Sequence, residues 1–253
     1  MEIEIVRHVQ RWGNSSGILL PREWLNKEVK IILIDRSLDI KNEVFDILSP
    51  YLDDIMGIYI AGSYSRGEEE RDSDIDIIAI SNTIKKEIIS GKYNISIIPY
   101  NTIEKTLKNN PIMILPRILE AKPITNSQLL NNLKESKINK DSFKDYIKDC
   151  ERIIKINEGL LNLEDSPYLE SNDIIYSIIL RLRGIYLIRC IIENKKYSKK
   201  DFLNYIKKSS EDQYLDAYET YKEIKNNKKS KIKIRVKTAQ ELIKLLKKEV
   251  GKV

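Results

Sequence analysis

At 253 residues, with 42% hydrophobic and 32% charged side chains, the chain has the composition of a folded globular protein, long enough for one large domain or two to three small ones. Nine glycines and seven prolines exclude collagen-like and low-complexity chains. The formal charge of +6 is a local excess. Lys222 to Val253 hold twelve Lys/Arg against three Asp/Glu, a surplus of nine, so the other 221 residues sum to −3. A basic tail permits a nucleic-acid partner without requiring one, because a charged helix face looks the same. Cys150 and Cys190 have no close-spaced partner, which argues against a disulfide framework or zinc knuckle and leaves a reduced, cytoplasmic chain as the expectation. No apolar run approaches the ~18 residues of a membrane span. The longest, Ile174 to Ile192, is interrupted by Arg181, Arg183 and Arg189 and reads as a core helix. The start, Met-Glu-Ile-Glu-Ile, lacks the cationic opening of a signal peptide.

In chain order, residues 1–36 hold two β-patterned runs, Glu2–Gln10 and Ile18–Leu20, around the turn-like Trp12-Gly13-Asn14-Ser15-Ser16-Gly17. Pro21 then opens a short helix, and Val29–Ile34 is a final β run. The stretches Arg11-Trp12-Gly13-Asn14-Ser15 and Leu20-Pro21-Arg22-Glu23-Trp24-Leu25 resemble the swapped-hairpin half-barrel of AbrB-like proteins. A unit this short buries too little apolar surface alone. The resemblance therefore implies a homodimer that completes the barrel, and contact with DNA through Arg7, Arg11 or Arg22.

A helical pattern from Asp39 towards Asp54 leads into a strand at Gly57–Ala61, a helix-like turn starting at Gly62-Ser63, a strand at Asp74–Ile80 and another at Tyr93–Pro99. Pro111, Pro116 and Pro123 break residues 102–135 into short elements. From Asp141 the pattern is helical, with caps expected at Asp141-Ser142, Ser171-Asn172-Asp173 and Ser198. Ile232–Val236 is expected as a short strand or as the start of a last helix, Thr238–Val250.

The stretch that carries chemistry is Gly62-Ser63-Tyr64-Ser65-Arg66-Gly67, followed by Ser73-Asp74-Ile75-Asp76. Glu68-Glu69 after Gly67 excludes a P-loop, which needs Lys and Ser/Thr there. Asp74 and Asp76, two apart in a strand, project from one face. Like charges that close repel unless a cation sits between them, and oxygen ligands beside a phosphate suit Mg²⁺ (or Mn²⁺). Gly62 lets a ligand approach the backbone, Ser63 offers a hydroxyl, and a triphosphate fits between this turn and the acids, with Arg66 beside it.

These residues resemble the signature of the DNA-polymerase-β-like nucleotidyltransferase superfamily, particularly its minimal nucleotidyltransferase branch. The resemblance implies an α+β fold: a nucleotidyltransferase core with a mixed sheet over residues 37–138, the β-hairpin unit at 1–36, and a helical domain with its basic tail at 139–253. It implies transfer of NMP from an NTP, ATP first, to a hydroxyl on a protein, RNA or small molecule. Asp74 and Asp76 would be catalytic and metal-binding, with Gly62, Ser63, Arg66 and Ser73 at the nucleotide. The family adds a third carboxylate from the next strand, which here offers Asn94 or Ser96; Glu87 and Glu104 fall outside it and are expected on solvated helix faces. Minimal nucleotidyltransferases occur beside HEPN toxins, but a fused HEPN nuclease is excluded because its Arg-x4-His motif cannot be built from the sole histidine, His8. A DNA-binding regulator or antitoxin with an inactive transferase fold is the alternative.

Overall fold

The computed structural model describes residues 5, 7, 9–32, 36–70, 73–136, 138–208 and 213–252. The chain divides into two compact units, Met1–Asn42 and Glu43–Val253.

The first unit holds a small antiparallel hairpin, β1 (Gln10–Trp12) and β2 (Ser15–Gly17), with Trp12 opposite Ser15. Its two-residue loop begins with Gly13 at φ +59, as a type II′ hairpin turn requires. Strand β2 therefore lies inside the segment expected as a turn, β1 overlaps that segment only at Trp12, and Ile18–Leu20 forms no strand. Most of the Glu2–Gln10 run and the end of Val29–Ile34 lie outside the described residues; Val29–Ile32 forms no strand. Arg22–Trp24 forms a 3-10 turn behind Pro21. Helix α1 (Arg36–Leu48) spans the division between the units.

The second unit is built on a mixed sheet. Its strands are β3 (Ile55–Ala61), β4 (Ile75–Ser81), β5 (Lys86–Ser90), β6 (Tyr93–Pro99) and the two-residue β7 (Lys122–Pro123). They stand in the order β5-β6-β4-β3-β7; β4 and β6 are parallel and every other pair antiparallel. The three inner strands are rich in isoleucine and buried on both faces, the pattern of a sheet covered on two sides. Ile75, Ile77 and Ala79 point one way and are fully buried, as are Val44 and Leu48 of α1. Asp76, Ile78 and Ile80 alternate with them and point the other way. Ile78, Ile80, Tyr59 and Ala61 belong to one continuous apolar core that runs on into the C-terminal helices.

The prolines punctuate residues 102–135 as expected. After α3 (Tyr100–Asn109), Pro111 opens a 3-10 turn, Pro116 sits in the first turn of α4 (Leu115–Glu120), and Pro123 lies in edge strand β7. Helix α5 (Ser127–Lys134) is capped by Asn126. Next come α6 (Lys144–Leu161), α7 (Asp173–Ile192), α8 (Lys199–Lys207), α9 (Tyr214–Lys225) and α10 (Val236–Val250). Helix α7 is apolar on nearly all sides because it is central, touching α6, α9 and α10. Gly184 leaves room on α7 for the Tyr146 hydroxyl of α6, which a Cβ would overlap. The Ser198 side chain caps α8, whereas Asn139 rather than Asp141 starts the turn that leads into α6. Arg235 makes an isolated bridge to Tyr168, and the last helix begins at Val236.

Candidate active site

The signature residues meet at one end of the sheet. Strand β3 runs into α2 (Gly62–Arg66), a single helical turn closed by Gly67 at φ +69. Gly62 itself sits at φ +68, and a Cβ there would overlap Asp76 Oδ2. Only glycine both takes this backbone conformation cheaply and lets the Asp76 carboxylate lie over the turn. Asp74 is exposed just before β4, and Asp76, half-buried, is the strand's second residue. Neither carboxylate has a salt bridge or hydrogen bond among the described residues. Two unclaimed carboxylates two residues apart, one open to solvent, are a donor set that fits a divalent cation.

Glu120, which nothing in the local sequence marks, organises the turn. Its Oε1 accepts the Gly62 N–H at 2.9 Å, its Oε2 accepts Arg66 Nη1 at 2.5 Å, and its backbone oxygen accepts the Ser65 hydroxyl. Arg66 also donates from Nε to Glu68 Oε2 at 2.8 Å. Burial works against the Arg66 charge, but these two carboxylates outweigh it and hold the guanidinium above its ordinary pKa. The Gly62 amide and the Arg66 fork, placed at the phosphates by sequence, are thus already engaged within the protein. The Ser63 hydroxyl makes no hydrogen bond among the described residues, whereas Ser73 Oγ accepts the Glu70 amide at 2.8 Å.

The loop after α2 is tied to the helices. Glu68 Oε1 accepts the Lys199 amide at the start of α8, and Glu70 pairs with Lys199 and Lys222. Tyr197 lies between two guanidinium groups, with Arg66 Cζ 5.4 Å and Arg183 Cζ 5.3 Å from its ring centroid.

Arg183 differs from its two neighbours on α7. Arg181 pairs with Asp149, and Arg189 with Glu249 and Glu193. Arg183 donates only to the Tyr197 hydroxyl, at 3.4 Å, and has no carboxylate partner among the described residues. Nearby stands Lys225, at the end of α9. It is exposed, and desolvation, then Arg183, lowers its pKa, with Asp76 opposing this and Arg117 and Arg66 adding to it. Arg117 of α4 has one polar contact, 3.4 Å to Ser96 Oγ, and no ion pair among the described residues.

Of the two residues offered for the third acid, Asn94 is the one beside Asp76. It is exposed and stands in register beside Asp76 across the parallel β4–β6 pair, so both face the same side. Ser96 lies one pair further along, beside Ile78. Glu87 corrects the sequence reading: it is on edge strand β5 rather than a helix, and its Oε2 accepts the Ser96 hydroxyl at 2.8 Å. Glu104 is on an exposed face of α3, as expected. In the first unit Arg7, Arg11 and Arg22 are exposed, Arg11 donating to the Gly13 carbonyl.

Comparison with known proteins gives a family match and several similar solved structures. Residues 41–165 match the nucleotidyltransferase domain family. Among solved structures, spectinomycin adenyltransferase from Enterococcus faecialis, with ATP and spectinomycin, is 15% identical, covering 85% of this chain and 99% of that one at a TM-score of 0.48. A nucleotidyltransferase-like protein from Exiguobacterium sibiricum 255-15 is 11% identical, covering 84% and 75% at 0.37. A toxin–antitoxin structure with AMP-PNP is 15% identical, covering 47% and 96% at 0.26. No curated protein matches the sequence. The family match encloses both the Gly62-Ser63 turn and the Asp74/Asp76 pair, so the signature lies within a segment that matches the nucleotidyltransferase domain.

Proposed function

We propose that the chain is a metal-dependent nucleotidyltransferase that moves NMP from an NTP, ATP first, to a hydroxyl acceptor. The observation that carries this is that two carboxylates without a salt bridge or hydrogen bond among the described residues, Asp74 and Asp76, stand at the Gly62-Ser63 turn, which has no room for a Cβ beside Asp76 Oδ2, while Arg183 and Arg117 have no ion pair among the described residues. Unpaired charge is costly to hold in a partly enclosed site, so both sets are suited to ligands. Asp74 and Asp76 would hold Mg²⁺ or Mn²⁺, which neutralises phosphate charge and polarises the phosphorus when bound. Lys225 and Arg183, with the Ser63 hydroxyl, would bind the phosphates; Glu120 and Arg66 would position the turn, and Ser73 would fix the loop that delivers Asp74.

A protein hydroxyl, as in modification of a partner toxin by an antitoxin, is the first acceptor to try. Each α-labelled NTP is incubated with Mg²⁺ and protein, RNA or small-hydroxyl acceptors, with wild type and Asp76→Asn side by side. Label transfer or pyrophosphate release that the substitution abolishes is expected; none under any condition, with nucleotide bound, would sink the enzyme reading.

One observation favours a second role for the first unit. Trp12, Leu19, Leu25, Ile31 and Ile32 are each more than 60% exposed, a large apolar load for so few residues. A homodimer through this unit, presenting Arg7, Arg11 and Arg22 to DNA, would cover it. Light scattering should give a dimer that Trp12→Ser and Leu25→Ser dissociate, and a gel shift on the protein's own promoter should survive Asp74→Asn/Asp76→Asn. A monomer without any shift removes this role.

A further inference from the structure

We propose that Tyr197 is a positioning residue: it holds the Arg183 guanidinium so that both Nη groups are free to take a nucleotide phosphate in bidentate fashion, and it ties that guanidinium to the α2 turn through Arg66. This rests on the nucleotidyl-transfer reading above and deepens it. The segment that joins α7 to α8 is where the helices grip the turn and its loop. Glu68 accepts the Lys199 amide, Glu70 pairs with Lys199, and the Tyr197 ring meets Arg66. That ring is fixed from within the helical region, edge-on to Tyr186 at 6.1 Å and tilted to the fully buried Phe202 at 6.5 Å between centroids. It therefore offers one rigid surface to two guanidinium groups, with Arg66 Cζ at 5.4 Å and Arg183 Cζ at 5.3 Å from its centroid.

The two guanidinium groups differ in what they have left to donate. Arg66 gives Nε to Glu68 and Nη1 to Glu120, so carboxylates of the protein already answer its charge. Arg183 gives only Nε, to the Tyr197 hydroxyl at 3.4 Å; its Nη1 and Nη2 make no hydrogen bond or ion pair among the described residues. A half-buried guanidinium without an acid is costly to hold, and its free planar edge matches two oxygens of a phosphate. The hydrogen bond at Nε and the ring beside Cζ orient the group before a ligand arrives, so less side-chain freedom is lost on binding. Arg181 and Arg189 of the same helix cannot act this way, because Asp149 holds Nη2 of the first and Glu249 holds Nη1 of the second.

The test is calorimetric titration of the full chain with α,β-methylene-ATP and Mg²⁺, for wild type, Tyr197→Phe, Tyr197→Leu, Arg183→Lys and the double variant Tyr197→Leu/Arg183→Lys. Arg183→Lys should weaken the analogue by at least about tenfold, because lysine keeps the charge but not the paired donors. Tyr197→Phe keeps the ring and loses the hydroxyl, and should weaken it by about threefold to tenfold; Tyr197→Leu should weaken it further. In the double variant the losses should not add: the affinity should match that of Arg183→Lys alone, because Tyr197 acts through Arg183. Additive losses, or wild-type affinity in Tyr197→Phe, would overturn the role of Tyr197 while leaving nucleotidyl transfer standing. A wild-type chain that binds no analogue would overturn both this inference and the reading beneath it. Tyr197→Phe disturbs packing least and decides the point if Tyr197→Leu does not fold, which circular dichroism reports.

Discussion

Replacing Gly62 with alanine separates the two demands that the site makes on that residue. The first is backbone conformation: φ is +68, and a side chain in the left-handed region costs about 1–2 kcal/mol. For a chain of this size each kcal/mol moves the melting temperature by roughly 2–4 °C, so a loss of roughly 2–8 °C follows from the backbone alone. The second demand is space. The new Cβ would overlap Asp76 Oδ2 and stand 3.1 Å from its Cγ, so the carboxylate must swing away from the turn. Misplacement of a reacting group by about 1 Å can cost about a hundredfold in rate. Gly67→Ala is the matched control, because Gly67 has φ +69 but nothing within 4 Å of a built Cβ. Differential scanning fluorimetry should show similar melting losses for the two variants. Mn²⁺ titration and transfer assays should show a loss of tenfold to a hundredfold for Gly62→Ala only. Equal binding losses in both, or normal Mn²⁺ binding by Gly62→Ala, would refute the argument that Gly62 is there to admit Asp76.

Glu120→Ala removes the acceptor for both the Gly62 amide and Arg66, and should destabilise by about 1–3 kcal/mol in urea unfolding, with Glu120→Gln milder because it keeps a carbonyl for the amide. Glu249, 3% exposed, carries a pH signature. Burial pushes its carboxyl up, but hydrogen bonds from Lys252, Tyr205 and Arg189 and the Lys252 charge outweigh it, leaving the native pKa below the ordinary 4.5. Its contribution is therefore complete above about pH 4.5 and is lost as pH falls through the native value, so melting curves of Glu249→Gln from pH 7 to 3 should show a lower plateau and a shallower acid limb. Gly184→Ala should destabilise by about 1–3 kcal/mol despite the better helix propensity of alanine, because the Tyr146 hydroxyl fills the space; a higher melting temperature would contradict this.

The parts of the fold legible in sequence are those set by local spacing. Gly62-Ser63 after an apolar run and Asp-Ile-Asp at the start of a strand sit within fifteen residues, and each constrains its neighbours through backbone conformation and side-chain alternation. Strand β5 was not legible: Lys86-Glu87-Ile88-Ile89-Ser90 is short and half polar, as an edge strand can be, and Ile89 is 84% exposed. Glu120 and Lys225 were not legible for another reason. They join the signature only through tertiary packing, and no spacing ties a glutamate at the end of α4 or a lysine at the end of α9 to a glycine far upstream. Arg183 was visible as an arginine in an apolar helix, but only packing distinguishes it from Arg181 and Arg189, which pair with acids.

The most direct test of nucleotide handling at this cleft is a crystal structure of the full chain with Mn²⁺ and α,β-methylene-ATP, using the anomalous signal of manganese. The proposed function predicts Mn²⁺ on Asp74 and Asp76, with the phosphates reaching Ser63, Arg183 and Lys225. Nucleotide bound elsewhere, or Mn²⁺ absent from the two aspartates while the nucleotide is fully occupied, would contradict it.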